Sequence, residues 1–155
     1  MAPYHREYSR ARRAFSQNFL VDPTSARRFL AAAELSRDRL VYEVGAGRGN
    51  LTRSLVERAG HVVAYEVDPE LAAALPRHSR LTVRAEDFLR ATPPCAPFAV
   101  VGNIPYSLTS SVVDWCLRAR SLTDATLLTQ LEYARKRTGD YGRWSRQCRG
   151  PGLFV

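Results

Sequence analysis

Between Arg39 and Thr129, short apolar runs alternate with segments of helical spacing, and this alternation limits the possible folds more than any other feature of the chain. Arg39 to Val44 reads as a strand and Asn50 to Ala59 as a helix. His61 to Val67 is a second strand, followed by a helix from Pro69 to Leu75. Leu81 to Ala85 and the apolar run Phe98 to Gly102 are the third and fourth strands. A helix over Ser107 to Arg118 and a fifth strand over Thr126 to Thr129 complete the series. Such alternation implies right-handed crossovers and an α/β fold, with a mostly parallel sheet covered by helices on both faces. Upstream, Asp22 and Pro23 suit an N-cap and first turn. The helix they open carries Ala26, Phe29, Leu30 and Ala33 on one face.

Sheets of this kind bind ligands beyond the carboxyl ends of their strands, and the distinctive residues of this chain fall there. The first strand ends in Glu43-Val44-Gly45-Ala46-Gly47-Arg48-Gly49. Glycines at such a turn let the backbone bend sharply and approach a ligand closely, and Gly45 and Gly47 are the candidates to line it. Glu66, 23 residues after Glu43, ends the second strand and can accept both hydroxyls of a ribose. Asp87 follows the third strand and can accept a bond from an exocyclic adenine amine, with Phe88 placed to flank the ring. A dinucleotide such as NAD is the rival ligand. Against it stand Asn50 where GxGxxG has its third glycine, the acidic residue two positions before the first glycine, and no strands for a second nucleotide half.

The fourth strand ends in Asn103-Ile104-Pro105-Tyr106, and this stretch carries the reaction chemistry. The exocyclic nitrogen of adenine is a poor nucleophile, because its lone pair is delocalised into the ring. A site that accepts both of its N–H bonds, through the Asn103 side chain and the Ile104 carbonyl, favours a tetrahedral nitrogen with a localised pair. Pro105 fixes the backbone that presents that carbonyl. Tyr106 offers an aromatic face to a base drawn out of its stack. A sulfonium methyl donor makes a general base unnecessary, since the product can lose its proton to water.

The formal charge is +8, and of the 23 basic residues all but Lys136 are arginine. Codon bias explains the choice of arginine over lysine but not the net excess, which suggests a polyanionic partner. Residues 1–13 form a basic arm with Arg6, Arg10, Arg12 and Arg13. A second cluster holds Arg135, Lys136, Arg137 and Arg143. Both are expected to contact the phosphates of such a partner. Cys95, Cys116 and Cys148 are too widely spaced for a metal or redox pair, so no metal is expected. No apolar run reaches the roughly 18 residues that span a bilayer, and no secretory signal opens the chain, so a cytoplasmic location is expected.

Taken together, Glu43-Val44-Gly45-Ala46-Gly47, Glu66, Asp87 and Asn103-Ile104-Pro105-Tyr106, preceded by Ser16-Gln17-Asn18-Phe19-Leu20, resemble the ribosomal RNA adenine N6-dimethyltransferase family over about residues 4 to 145. Ser16-Gln17 and the stretch Gln130 to Ser145 look like its Erm branch; the small-subunit branch usually has glycine where Ser16 stands. The resemblance implies a Rossmann-like S-adenosylmethionine-dependent methyltransferase fold. It implies methylation of an adenine N6 in 23S rRNA, with resistance to macrolide, lincosamide and streptogramin B antibiotics. It also implies a monomer. Asn18 and Leu20 would lie at the methionine and entry side of the cofactor, Gly45 and Gly47 along it, Glu66 at its ribose and Asp87 at its adenine. Asn103 would meet both cofactor and target base, and Tyr106 would stack on the base.

Residues 14–145 are thus expected to form a partial catalytic domain, incomplete at the C-terminus and lacking the family's helical RNA-binding domain. The tail 146–155 matches nothing expected there. With Gly150, Pro151 and Gly152 it is a poor candidate for a strand, which would leave the fifth strand as an open edge and the chain prone to associate. Two alternatives are an inactive fragment that binds cofactor or RNA without turnover, and a small-subunit rRNA dimethyltransferase.

Overall fold

The computed structural model describes residues 23–129, the pair 133–134 and residues 152–154. The helices are α1 (Pro23–Ala32), α2 (Asn50–Arg58), α3 (Pro69–Ala74) and α4 (Thr109–Arg118). The strands are β1 (Leu40–Val44), β2 (His61–Tyr65), β3 (Leu81–Arg84), β4 (Phe98–Asn103), β5 (Leu122–Leu128) and β6 (Gly152–Phe154). They form one sheet in the order β3-β2-β1-β4-β5-β6, with every neighbouring pair parallel. From β1 the chain winds outward through β2 and β3, then returns to β4 on the other side of β1. The winding reverses between β1 and β4, and at such a switch point the crossovers diverge and leave a crevice. Val44 is level with Tyr65 on one side and Gly102 on the other, so the segments after β1, β2 and β4 begin at one height.

Alternation along the strands divides the core between the two faces. Val41, Val62, Ala99 and Val101 pack against Leu30 and Ala33 of α1 and Leu51, Leu55 and Val56 of α2. On the opposite face Tyr42, Val44, Tyr65, Phe98 and Val100 meet Val112, Val113, Trp115 and Cys116 of α4. Helices therefore cover both faces, as the periodicity predicts. α3 carries its own start signal, because Asp68 accepts from the amides of Glu70 and Leu71 and Pro69 opens the first turn. Among the described residues no helix is long and apolar enough to cross a membrane.

Two expectations at the C-terminal side are corrected. β5 begins at Leu122 rather than Thr126. Thr123 and Asp124 conceal its start, yet both are held: Asp124 pairs with Arg39 at 2.7 Å, and Thr123 Oγ1 donates to the Phe98 carbonyl at 2.9 Å. The tail also supplies a strand after all. Gly152–Phe154 lies parallel to Asp124–Thr126, so β5 has a neighbour on each side and is not an open edge. The pairing involves residues after Pro151, so the missing proline N–H does not interrupt it. Asp22, the expected cap of α1, lies outside the described residues.

Candidate functional site

Beyond β1 the chain turns through three glycines, all left-handed: Gly45 at φ 70°, Gly47 at 55° and Gly49 at 80°. A side chain in that region costs about 1–2 kcal/mol per residue, so glycine suits each position. The amides of Gly45 and Ala46 both donate to the Tyr65 carbonyl, at 2.9 and 3.0 Å, which lays the turn across the end of β2. Among the described residues, a Cβ placed on Gly45 would meet nothing within 4 Å, which leaves open room beside the turn. Gly49 caps α2 with no side-chain bond; Arg53 braces the turn by donating to the Arg48 and Gly49 carbonyls, each at 3.2 Å.

Glu66, at the end of β2, is only 6% exposed. Its Oε2 accepts the Gly47 amide at 2.8 Å and its Oε1 accepts the Asp68 amide at 2.9 Å. The carboxylate therefore ties the glycine turn to the start of α3, and each oxygen keeps a further lone pair for a ligand hydroxyl. Beside it Val67 is 51% exposed, an apolar surface next to the acid.

Glu43 has a different role from a surface acid. It alternates with Tyr42 and Val44 and so faces α2, where Thr52 Oγ1 donates to its Oε2 at 2.7 Å. Burial pushes its carboxyl up to about 7; the Thr52 hydroxyl opposes this and the nearby Glu66 adds to it. Sequence patterning did not single out Thr52. The available signal was a hydroxyl in the first turn of the helix after the glycine turn.

Asp87 caps the 3-10 turn Phe88–Arg90 through Leu89 and is exposed after β3. Phe88 does not stand free to flank a ligand ring. It is 4% exposed, with its ring 4.4 Å from that of Trp115 and 5.5 Å from that of Tyr65, so the expectation for Phe88 is corrected. A 3-10 turn points its first side chain inward here, and Trp115 Nε1 fastens the far end by donating to the Ala91 carbonyl at 3.0 Å.

Asn103 is the last residue of β4 and half-buried, across the switch point from the glycine turn. Ile104 is buried, and its amide donates to the Leu128 carbonyl at 2.9 Å. Among the described residues no group donates to its own carbonyl. The Pro105 carbonyl accepts from the Leu108 amide and from Thr109 Oγ1, which locks the loop to the start of α4. Tyr106 is 54% exposed at the rim. Gly45, Gly47, Glu66, Asp87, Asn103, Ile104, Pro105 and Tyr106 thus all lie at or beyond the carboxyl ends of β1 to β4. Asn18, Leu20, Arg6, Arg10, Arg12, Arg13, Arg135, Lys136, Arg137 and Arg143 lie outside the described residues.

The sequence matches the family described as ribosomal RNA adenine dimethylase over residues 8–149. It is 54% identical over 144 residues to an rRNA adenine N-6-methyltransferase of Saccharopolyspora erythraea, covering 90% of this chain and 38% of that one. A ribosomal RNA small subunit methyltransferase A of Thermobifida fusca is 40% identical over 146 residues, covering 84% and 51%. Among solved structures, the 23S rRNA methyltransferase ErmE is 52% identical with a TM-score of 0.75, covering 81% of this chain and 53% of that one. The chain spans about half the length of these relatives, or less. A match along most of its length, with a turn, an acid and an Asn–Ile–Pro–Tyr loop gathered at one switch point, leads to one conclusion: the chain belongs to the ribosomal RNA adenine dimethylase family.

Proposed function

We propose that this chain carries the S-adenosylmethionine-binding and base-receiving part of an adenine-N6 methyltransferase that acts on 23S rRNA. The observation that carries the reading is the switch point itself. It sets a glycine turn tied to a buried acid opposite a loop with an amide side chain, a carbonyl and an exposed aromatic ring. The greater identity to the 23S rRNA methyltransferase ErmE, 52%, than to the small-subunit enzyme, 40%, favours the large-subunit RNA, and macrolide resistance would follow from its methylation.

The residues present fit the cofactor. Open room beside Gly45 would admit it, the free lone pairs of Glu66 would take ribose hydroxyls, the exposed Asp87 would meet the adenine amine, and Val67 would offer an apolar wall. Asn18 and Leu20 would close its methionine side. When bound, S-adenosylmethionine supplies an electrophilic methyl group on a sulfonium. The Asn103 side chain and the Ile104 carbonyl would accept the two N–H bonds of the target amine and turn its lone pair outward. Tyr106 would hold the base by stacking. Proton loss then goes to water. The two arginine clusters would hold RNA phosphate, and work on ribosomal RNA would place the protein in the cytoplasm.

The test is transfer of labelled methyl from S-adenosylmethionine to protein-free 23S and 16S rRNA, together with calorimetric titration of S-adenosylmethionine and NAD. Label on adenine N6 of 23S rRNA is expected. Cofactor binding without transfer would reduce the reading to a binding module, label confined to 16S rRNA would move it to the small-subunit branch, and NAD binding alone would overturn it.

A further inference from the structure

Two buried carboxylates end adjacent parallel strands beside the glycine turn, and their partners differ. Glu66 has a backbone N–H on each oxygen, from Gly47 and Asp68. Glu43, 1% exposed, has the uncharged hydroxyl of Thr52. Among the described residues, the groups that act on Glu43 are its burial, Thr52 from α2 and Glu66 from beyond β2, with no cation among them. Arg53, on the same helix as Thr52, is turned to the Arg48 and Gly49 carbonyls. On the other side, β4 offers Val101 opposite Glu43 and the neutral Asn103 at its end. A buried acid without a cation favours its neutral form, and the turn with open room beside it begins two residues later, at Gly45.

We propose that Glu43 is the proton-linked residue of this cleft: it holds a proton while no cation lies against it, and releases that proton to solvent when a cationic group of the methyl donor is bound. The inference rests on the reading of the cleft as an S-adenosylmethionine site. The donor has two cations, a sulfonium and an ammonium, and its demethylated product keeps only the ammonium. Proton release with both ligands assigns the linkage to the ammonium. Release with the donor alone assigns it to the sulfonium and makes Glu43 a residue that distinguishes donor from product.

The experiment is calorimetric titration of the 155-residue chain with S-adenosylmethionine and with S-adenosylhomocysteine, in buffers of different ionisation enthalpy, from pH 6 to pH 8. With a carboxyl near pH 7, about nine-tenths of a proton should be released per donor at pH 6 and about one-tenth at pH 8. Donor affinity should be about tenfold weaker at pH 6 than at pH 8, because protons compete with the cation. Glu43→Gln should abolish the release. Thr52→Val, which removes the bond that favours the charged form, should shift it to higher pH. Donor binding with no proton release across this range overturns the inference and leaves the cofactor reading intact. Absence of donor binding overturns both.

Discussion

Glu66→Gln tests the join on which the whole site depends. The two carboxylate oxygens accept the Gly47 and Asp68 amides at 2.8 and 2.9 Å. A glutamine side chain has one oxygen and one NH2, so one of those amides would face a donor instead of an acceptor. Losing a hydrogen bond to a charged group costs about 1.5–3 kcal/mol, and at 6% exposure water offers little replacement. A loss of about 2 kcal/mol lowers the melting temperature by roughly 4–8 °C in a chain of this size. Ligand binding should weaken as well, because the amide offers one acceptor where the carboxylate offers two. An affinity loss of about tenfold corresponds to about 1.4 kcal/mol, and Glu66→Ala should lose at least as much. Thermal melts and calorimetric titration with S-adenosylmethionine, run on the same preparations, separate the two effects. A variant with unchanged melting temperature would show that these bonds do not hold the turn. Unchanged affinity would remove Glu66 from the ribose site.

Tyr106→Phe should keep most methyl transfer, whereas Tyr106→Ala and Asn103→Ala should lose it while staying folded; the check is initial rates beside circular dichroism. Gly102→Ala would put a Cβ 2.9 Å from the Val44 carbonyl oxygen. It should destabilise the fold by about 1–3 kcal/mol, read as a lower urea midpoint. Glu43 is held near 7 in the folded chain against an ordinary 4.5, so between those values the folded chain keeps a proton that the unfolded chain has lost. Stability should therefore fall as pH rises through this window, by up to about 3 kcal/mol, and urea midpoints at pH 5 and 7.5 should show a slope that Glu43→Gln flattens. Removal of residues 150–155 should open the edge of β5 and shift size-exclusion profiles towards association; an unchanged monomer peak would deny β6 that role.

Most of the sheet, and the gathering of the candidate residues at one edge of it, were legible in the sequence, because both are written locally. Strand β4 announces itself by its unbroken apolar run, α3 by Asp68-Pro69, and the turn by glycines whose left-handed backbone few other residues adopt. Glu66, Asp87 and Asn103 could be placed together since a parallel sheet puts strand ends at one edge whatever its side chains do. Spacing could not tell how each group would be used. Phe88 looked available to a ligand, but the packing of Trp115 and Tyr65 claims its ring.

Tertiary structure decided the rest, through contacts between residues that no local pattern relates. The polar pair Thr123-Asp124 becomes strand because Arg39 and the Phe98 carbonyl receive it. The Glu43 carboxyl is raised because alternation buries it under α2 and away from water, while the Thr52 hydroxyl opposes the rise. Gly152–Phe154 is a strand because β5 offers it backbone groups to pair with, although its own composition argues for a loop. Sequence determined where polar groups enter the sheet edge; burial and long-range pairing determined their charge, their partners and their freedom to meet a ligand.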